Sequence, residues 1–181
     1  MRKWWLIILA AAIVLAGVYG GSAYLAASNL EKSAKAGDVA ALDELVDFPS
    51  VREGLKSQMN AAMMAKMQSD PELANNPFAG LGMMLAPAII ERAVDAYVTP
   101  DGIAAIVRGQ RLNEPPQAAA ENRDNPDVEY GSQWVDLDTF KVTARKDGSN
   151  ETMPSFIFKR EGFATWKLKK IQLPDEFMRS K

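Results

Sequence analysis

Residues 4–30 read WWLIILAAAIVLAGVYGGSAYLAASNL, an uncharged run that follows Met1-Arg2-Lys3. Its strongly apolar part, Trp4 to Ala27, covers 24 residues. At about 1.5 Å of rise per residue, a helix of that length spans roughly 36 Å, against a hydrocarbon core of about 30 Å. Trp4 and Trp5 stand at one end, Tyr19 and Tyr24 towards the other, as interfacial aromatics do. The expectation is a basic flank at 1–3, a single transmembrane anchor at 4–27 that makes the lipid bilayer a partner, and a body at 28–181. The competing reading is a cleavable signal peptide, with Leu6–Tyr19 as its apolar stretch and Gly21-Ser22-Ala23 as the cleavage site. Against it, apolar character continues past that site through Tyr24-Leu25-Ala26-Ala27.

Arg2, Lys3 and the terminal amine precede the run, and Lys32 and Lys35 follow it. That balance tips towards a cytoplasmic N-terminus and an extracytoplasmic body. Gly17 and Gly21 form a G-x-x-x-G pair, the spacing that lets two membrane helices approach, so a homodimer contact is expected there if one exists.

Composition removes whole classes of chemistry. The chain has 21 Lys and Arg against 23 Asp and Glu, with no His and no Cys. Once Arg2 and Lys3 are set aside the body is net acidic, which argues against nucleic acid as a partner. Without Cys there is no disulfide framework and no thiolate metal site. Without His there is no Ser-His-Asp triad, no H-E-x-x-H zinc site and no imidazole base. No cofactor is expected.

Further along, Gly37 stops the first helix, and Asp38 is placed to cap a second that carries Val39, Leu42, Leu45 and Val46. Ser50-Val51-Arg52-Glu53 spells a capping box for a third, with Val51, Leu55, Met59, Met63 and Met67 on one stripe. Ser69-Asp70-Pro71-Glu72 repeats that spelling and predicts a short further turn of helix. Phe78 to Pro87, FAGLGMMLAP, reads as an apolar loop. A helix is then expected from about Met84 to Val98, burying Ile89, Ile90, Ala93, Val94 and Tyr97. Thr99-Pro100-Asp101 opens another. Residues 113–127 hold three prolines and read as an exposed linker. Beyond them the period changes to two. Phe140, Val142 and Ala144 alternate with Lys141, Thr143 and Arg145, and Phe156 and Phe158 share one face of the next strand. In the last strand Trp166 and Leu168 are out of phase with Ile171 and Leu173, which predicts a bulge near Lys169-Lys170. Tyr130–Asp136 is expected as a fourth strand. The fold class is α+β, with about five short helices after the anchor and a small antiparallel sheet of three to four strands.

Several of these stretches carry a resemblance. They are AKAGDVAALDELVDFPSVR (34–52), NPFAGLG (76–82), VDAYVTPDG (94–102) and WKLKKIQLP (166–174). With the anchor, they resemble a bacterial membrane-anchored family known only as domain-of-unknown-function family 2939. The resemblance implies a single-pass or secreted envelope protein and brings no activity or functional residue with it, and the location expected here is the bacterial inner membrane. The layout of leading helices and a closing sheet is also similar to cone-shaped folds of the NTF2-like type.

Three features are candidates for function. Met59, Met63, Met64, Met67, Met83 and Met84 cluster in sequence, and their spacing of four fits a core stripe better than a soft-metal site. The apolar stretch from Phe78 is a candidate ligand or partner surface formed by Phe78, Leu81, Met83 and Met84 with Tyr97 and Trp166. Without His, an enzyme here would need paired carboxylates as general acid and base, and the near pairs are Asp43/Asp47, Asp136/Asp138 and Asp95/Asp101, with surface solvation as their ordinary role. The expected function is a non-enzymatic binding domain for an envelope protein or an apolar ligand, and the rival reading is a carboxylate-based envelope enzyme.

Overall fold

In the computed structural model, which describes residues 2–70, 79–107, 128–146 and 152–174, the apolar run belongs to one helix, α1, Arg2–Ala36. Its span Trp4–Ala36 is long and apolar enough to cross a membrane. The helix has two unlike halves. Trp4 to Val18 is exposed on every side, whereas Ser22, Ala23, Ala26, Leu30 and Ala34 are buried. Four of these five have small side chains, and steps of three and four put them on one narrow face against which other elements approach closely. Gly37, at φ 69°, ends the helix, with its N–H on the Ala34 carbonyl and that of Asp38 on the Ser33 carbonyl.

Helix α2, Val39–Leu45, is capped as expected: Asp38 accepts the Ala41 N–H at 3.1 Å. Helix α3, Phe48–Ser69, starts earlier than its S-x-x-E spelling suggests. Asp47 is the cap, accepting the Ser50 N–H at 3.0 Å. Pro49 then sits in the first turn, where no N–H is required.

The expected apolar loop is instead the start of a helix, α4, Ala79–Tyr97. Gly80 and Gly82 each cost a helix about 1 kcal/mol. Tertiary packing overrides that cost, because Ala86, Ile90 and Val94 form a stripe buried against the neighbouring elements. Pro87 lies on the exposed side, so the carbonyl it cannot pair with faces water. The stripe is narrower than the sequence suggests, and Ile89 and Tyr97 are exposed. Helix α5, Pro100–Val107, is capped by Thr99, whose Oγ1 accepts the Gly102 N–H at 3.2 Å. Gly102 packs against the Tyr97 carbonyl with no room for a β-carbon.

Strands β1 (Val128–Asp136), β2 (Thr139–Lys146), β3 (Thr152–Arg160) and β4 (Trp166–Gln172) form an antiparallel sheet in that order. The class is α+β. Phe140, Phe156, Phe158, Trp166 and Leu168 are buried on the helix side. The expected bulge is present: Ile157 faces Lys170 and Phe158 faces Leu168, leaving Lys169 as the extra residue and returning Ile171 to the core. Helix α3 covers the free edge of β4. Asp47 N–H donates to the Leu168 carbonyl at 2.9 Å, Gln58 Nε2 to that of Ile171 at 2.9 Å, and Leu173 N–H to Gln58 Oε1 at 3.0 Å. These bonds occupy edge groups that could otherwise recruit another strand. The expected turn of helix after Pro71, the linker at 113–127 and the turn at 147–150 lie outside the described residues.

Candidate functional site

Strand alternation puts Arg160 on the same face as Phe156 and Phe158, so its cation is directed to the apolar side of the sheet. Only 8% of its side chain is exposed. The guanidinium carbon lies 3.5 Å from the ring centre of Tyr19 and 4.2 Å from that of Trp166. A planar, weakly hydrated cation fits between two aromatic faces as an ammonium would not. Nη1 donates to the Phe163 carbonyl, and Nη2 lies 3.4 Å from the carbonyls of Tyr19 and Leu137. Nε faces Asp138 Oδ1 at 3.2 Å as an ion pair without hydrogen-bond alignment.

The same joint holds Trp166 Nε1, which donates to Ser22 Oγ at 2.9 Å, and Ser22, which donates to the Tyr19 carbonyl at 3.0 Å. The Tyr19 hydroxyl reaches the Leu137 carbonyl at 3.2 Å, and its ring meets Phe163 edge-on. The β1–β2 turn, the β3–β4 turn and α1 are therefore fastened at one point, just where the fully exposed half of α1 ends.

Beside this joint α1 leaves part of the sheet uncovered, and a cleft of about 120 Å³ opens between them. Phe140, Phe156 and Phe158 line its apolar side, with Tyr24, Glu31 and Tyr130 among its polar groups. Burial pushes the Tyr130 hydroxyl up to about 12, with the Glu31 charge adding to the effect. It stays a neutral donor at any ordinary pH. The volume is below the roughly 300 Å³ at which small-molecule pockets usually begin.

A third feature is an arm made by α3 and α4. Arg52 Nη2 donates to the Val98 carbonyl at 3.0 Å, and Lys56 pairs with Asp95 at 3.0 Å and Glu91 at 3.7 Å, so the two helices run antiparallel. β4 begins at Trp166 in the joint, and Gln58 meets its far end at Leu173. The rest of α3 and the first turns of α4 therefore extend away from the joint. Leu81, Met83, Met84, Leu85 and Ile89 are all exposed there, while Met59 and Met63 pack against the core.

Of the residues expected to form one surface, Leu81, Met83 and Met84 lie together on this arm, and Phe78 is outside the described residues. Tyr97 is on the same helix, about 20 Å further along. Trp166 is buried in the joint, away from the arm. None of Met83, Tyr97 and Trp166 lines the cleft. Gly17 and Gly21 are exposed, with nothing close to where a β-carbon would sit.

Of the near-paired carboxylates, Asp47, Asp95, Asp136 and Asp138 have structural partners. Lys169, at 2.9 Å, and then the Ser50 N–H hold Asp47 down to about 2. Lys169 is itself raised by Glu161, at 2.6 Å, and by Asp47. Asp136 accepts the Asp138 N–H at 2.8 Å. Among the described residues no group of three or more His, Cys, Asp or Glu is placed to hold a metal ion.

The family model described as "Protein of unknown function (DUF2939)" matches residues 12–106, from the exposed half of α1 into α5. That is more than half of the chain. The chain belongs to this family. The DUF2939 match takes in the buried stripe of α1 and the α3–α4 arm, and the stretch at 166–174 quoted above lies outside it. No curated protein and no solved structure gives a match.

Proposed function

We propose that this protein is a single-pass anchored protein of the bacterial inner membrane. Its N-terminus is cytoplasmic, and its extracytoplasmic body is a non-enzymatic interaction domain. The observation that carries the binding role is the arm. Ala79 to Ile90 contains no charged residue, and five large apolar side chains there are exposed. Apolar patches of this kind on a soluble surface are commonly protein contact sites. A protein partner is favoured over a small apolar ligand because the cleft is small and the arm stands clear of it. A carboxylate enzyme is disfavoured because Asp47, Asp95, Asp136 and Asp138 are engaged in caps and ion pairs.

The test is a photoreactive amino acid at Met84 in the full chain, illuminated in native membranes. The reading predicts one protein adduct of constant mass that disappears when Ile89→Glu is added. Adducts to lipid alone, or none, would contradict it.

A further inference from the structure

The exposed half of α1 ends at a joint whose two neighbouring turns carry exposed apolar tips. Leu137, in the β1–β2 turn, is 73% exposed, and Phe163, in the β3–β4 turn, 57%. Tyr19, the next residue after Val18, bonds the Leu137 backbone and packs on the Phe163 ring. Arg160 ties both turns to the same helical level. Resting on the anchor reading above, we infer that Leu137 and Phe163 are a membrane-seating edge: the two turn tips insert into the lipid interface around the point where α1 leaves it.

Three observations lead there. The first is continuity. The turns are fixed to Tyr19, so burying Trp4–Val18 in hydrocarbon brings both tips to the bilayer surface without any rearrangement. The second is length. Trp4–Val18 provides 15 residues, about 22 Å of helix against a core of about 30 Å. A short span draws its flanks inwards or thins the bilayer around itself, and apolar side chains at the flank meet that demand. The third is composition. Trp134, half-exposed and stacked edge-on against Trp166 and Phe140, and Tyr19 are the residue types that settle at headgroup level. Asp138 is paired with Arg160 and Glu161 with Lys169 and Lys167, and Asp136, beside Leu137, adds a further carboxylate, so no excess of positive charge draws the edge to anionic headgroups. The edge is therefore fitted to uncharged lipid and does not depend on anionic headgroups.

The chain has no cysteine, so single-cysteine variants label one site each. The full chain is reconstituted in phosphatidylcholine vesicles with an environment-sensitive fluorophore at Leu137→Cys, Phe163→Cys, Ile7→Cys or Val39→Cys. Quenching by nitroxide-bearing lipids is then read. Leu137→Cys leaves the backbone carbonyl that Tyr19 uses, so it tests the edge without undoing the joint. The inference predicts strong quenching at Ile7, clear shallow quenching with a blue shift at Leu137 and Phe163, and none at Val39. Quenching at Ile7 with Leu137 and Phe163 no different from Val39 would overturn the edge and leave the anchor standing. An unquenched Ile7 would remove the anchor, and the edge with it.

Discussion

The joint and the arm are both rich in large apolar and aromatic side chains, and they use them in opposite ways. At the joint, Trp166 is buried, its indole N–H is satisfied by Ser22, and Arg160 packs on its face. On the arm, Leu81, Met84 and Ile89 are each more than half exposed. The difference teaches where to look for function. Side chains that bond and pack on one another hold a region rigid, whereas a surface of exposed apolar side chains is suited to a partner.

Substitutions can break or sharpen that contrast, and the largest effect belongs to the joint. Trp166→Ala should cost about 3–5 kcal/mol, as truncation of a buried aromatic does, read by denaturant unfolding of the full chain in detergent. Arg160→Met should cost about 2 kcal/mol in the same assay, because a desolvated cation between two rings is lost. Arg160→Lys should recover little, since an ammonium has no plane to stack and cannot reach three carbonyls. Recovery to wild-type stability would show that charge alone holds the joint.

A smaller effect is expected at Asp47. Its carboxyl is held near 2, below the usual range. A depressed carboxylate stabilises the fold above its unfolded pKa and loses that contribution as pH falls through the folded value. Allowing for its partial exposure, Asp47→Asn should cost about 1 kcal/mol at neutral pH. The gap from wild type should close as the pH drops from about 4 to about 2. The smallest effect belongs to the arm: Met84→Asn should change stability by less than about 0.5 kcal/mol. A larger cost would mean that the arm packs on its own chain, and the contrast would fail.

Much of the fold was legible because local chemistry and tertiary structure agree. Asp38 and Thr99 cap where their spacing places them, and the phase change between Leu168 and Ile171 revealed the bulge at Lys169. Two stretches misled for physical reasons. Asp47 and Ser50 are both competent caps, and only the contact of Asp47 with Lys169 and the β4 edge decides between them. Gly80, Gly82 and Pro87 argue locally for a loop, but the Ala86-Ile90-Val94 stripe carries the helix through them. The joint was not read at all. Arg160 sits between Lys159 and Glu161 and looks like part of a solvated turn. The available signal was its phase with Phe156 and Phe158, which puts a cation on a core face. Ser22 and Ala23 were hidden in the same way inside an apolar run, where the 3–4 spacing of small residues through Ala34 marks a packed stripe.

That stripe also sets the central claim, that α1 is one helix serving as both anchor and core element. Cleavage at Gly21-Ser22-Ala23 would cut through buried helix and remove Tyr19, half of the seat of Arg160. The most direct test is the intact mass of the protein recovered from a bacterial envelope, together with the fraction that holds it after alkaline extraction. The account predicts a chain that still carries Trp4–Val18 and stays with the membrane. A stable, folded species that begins near Tyr24 and is released into the soluble fraction would contradict it.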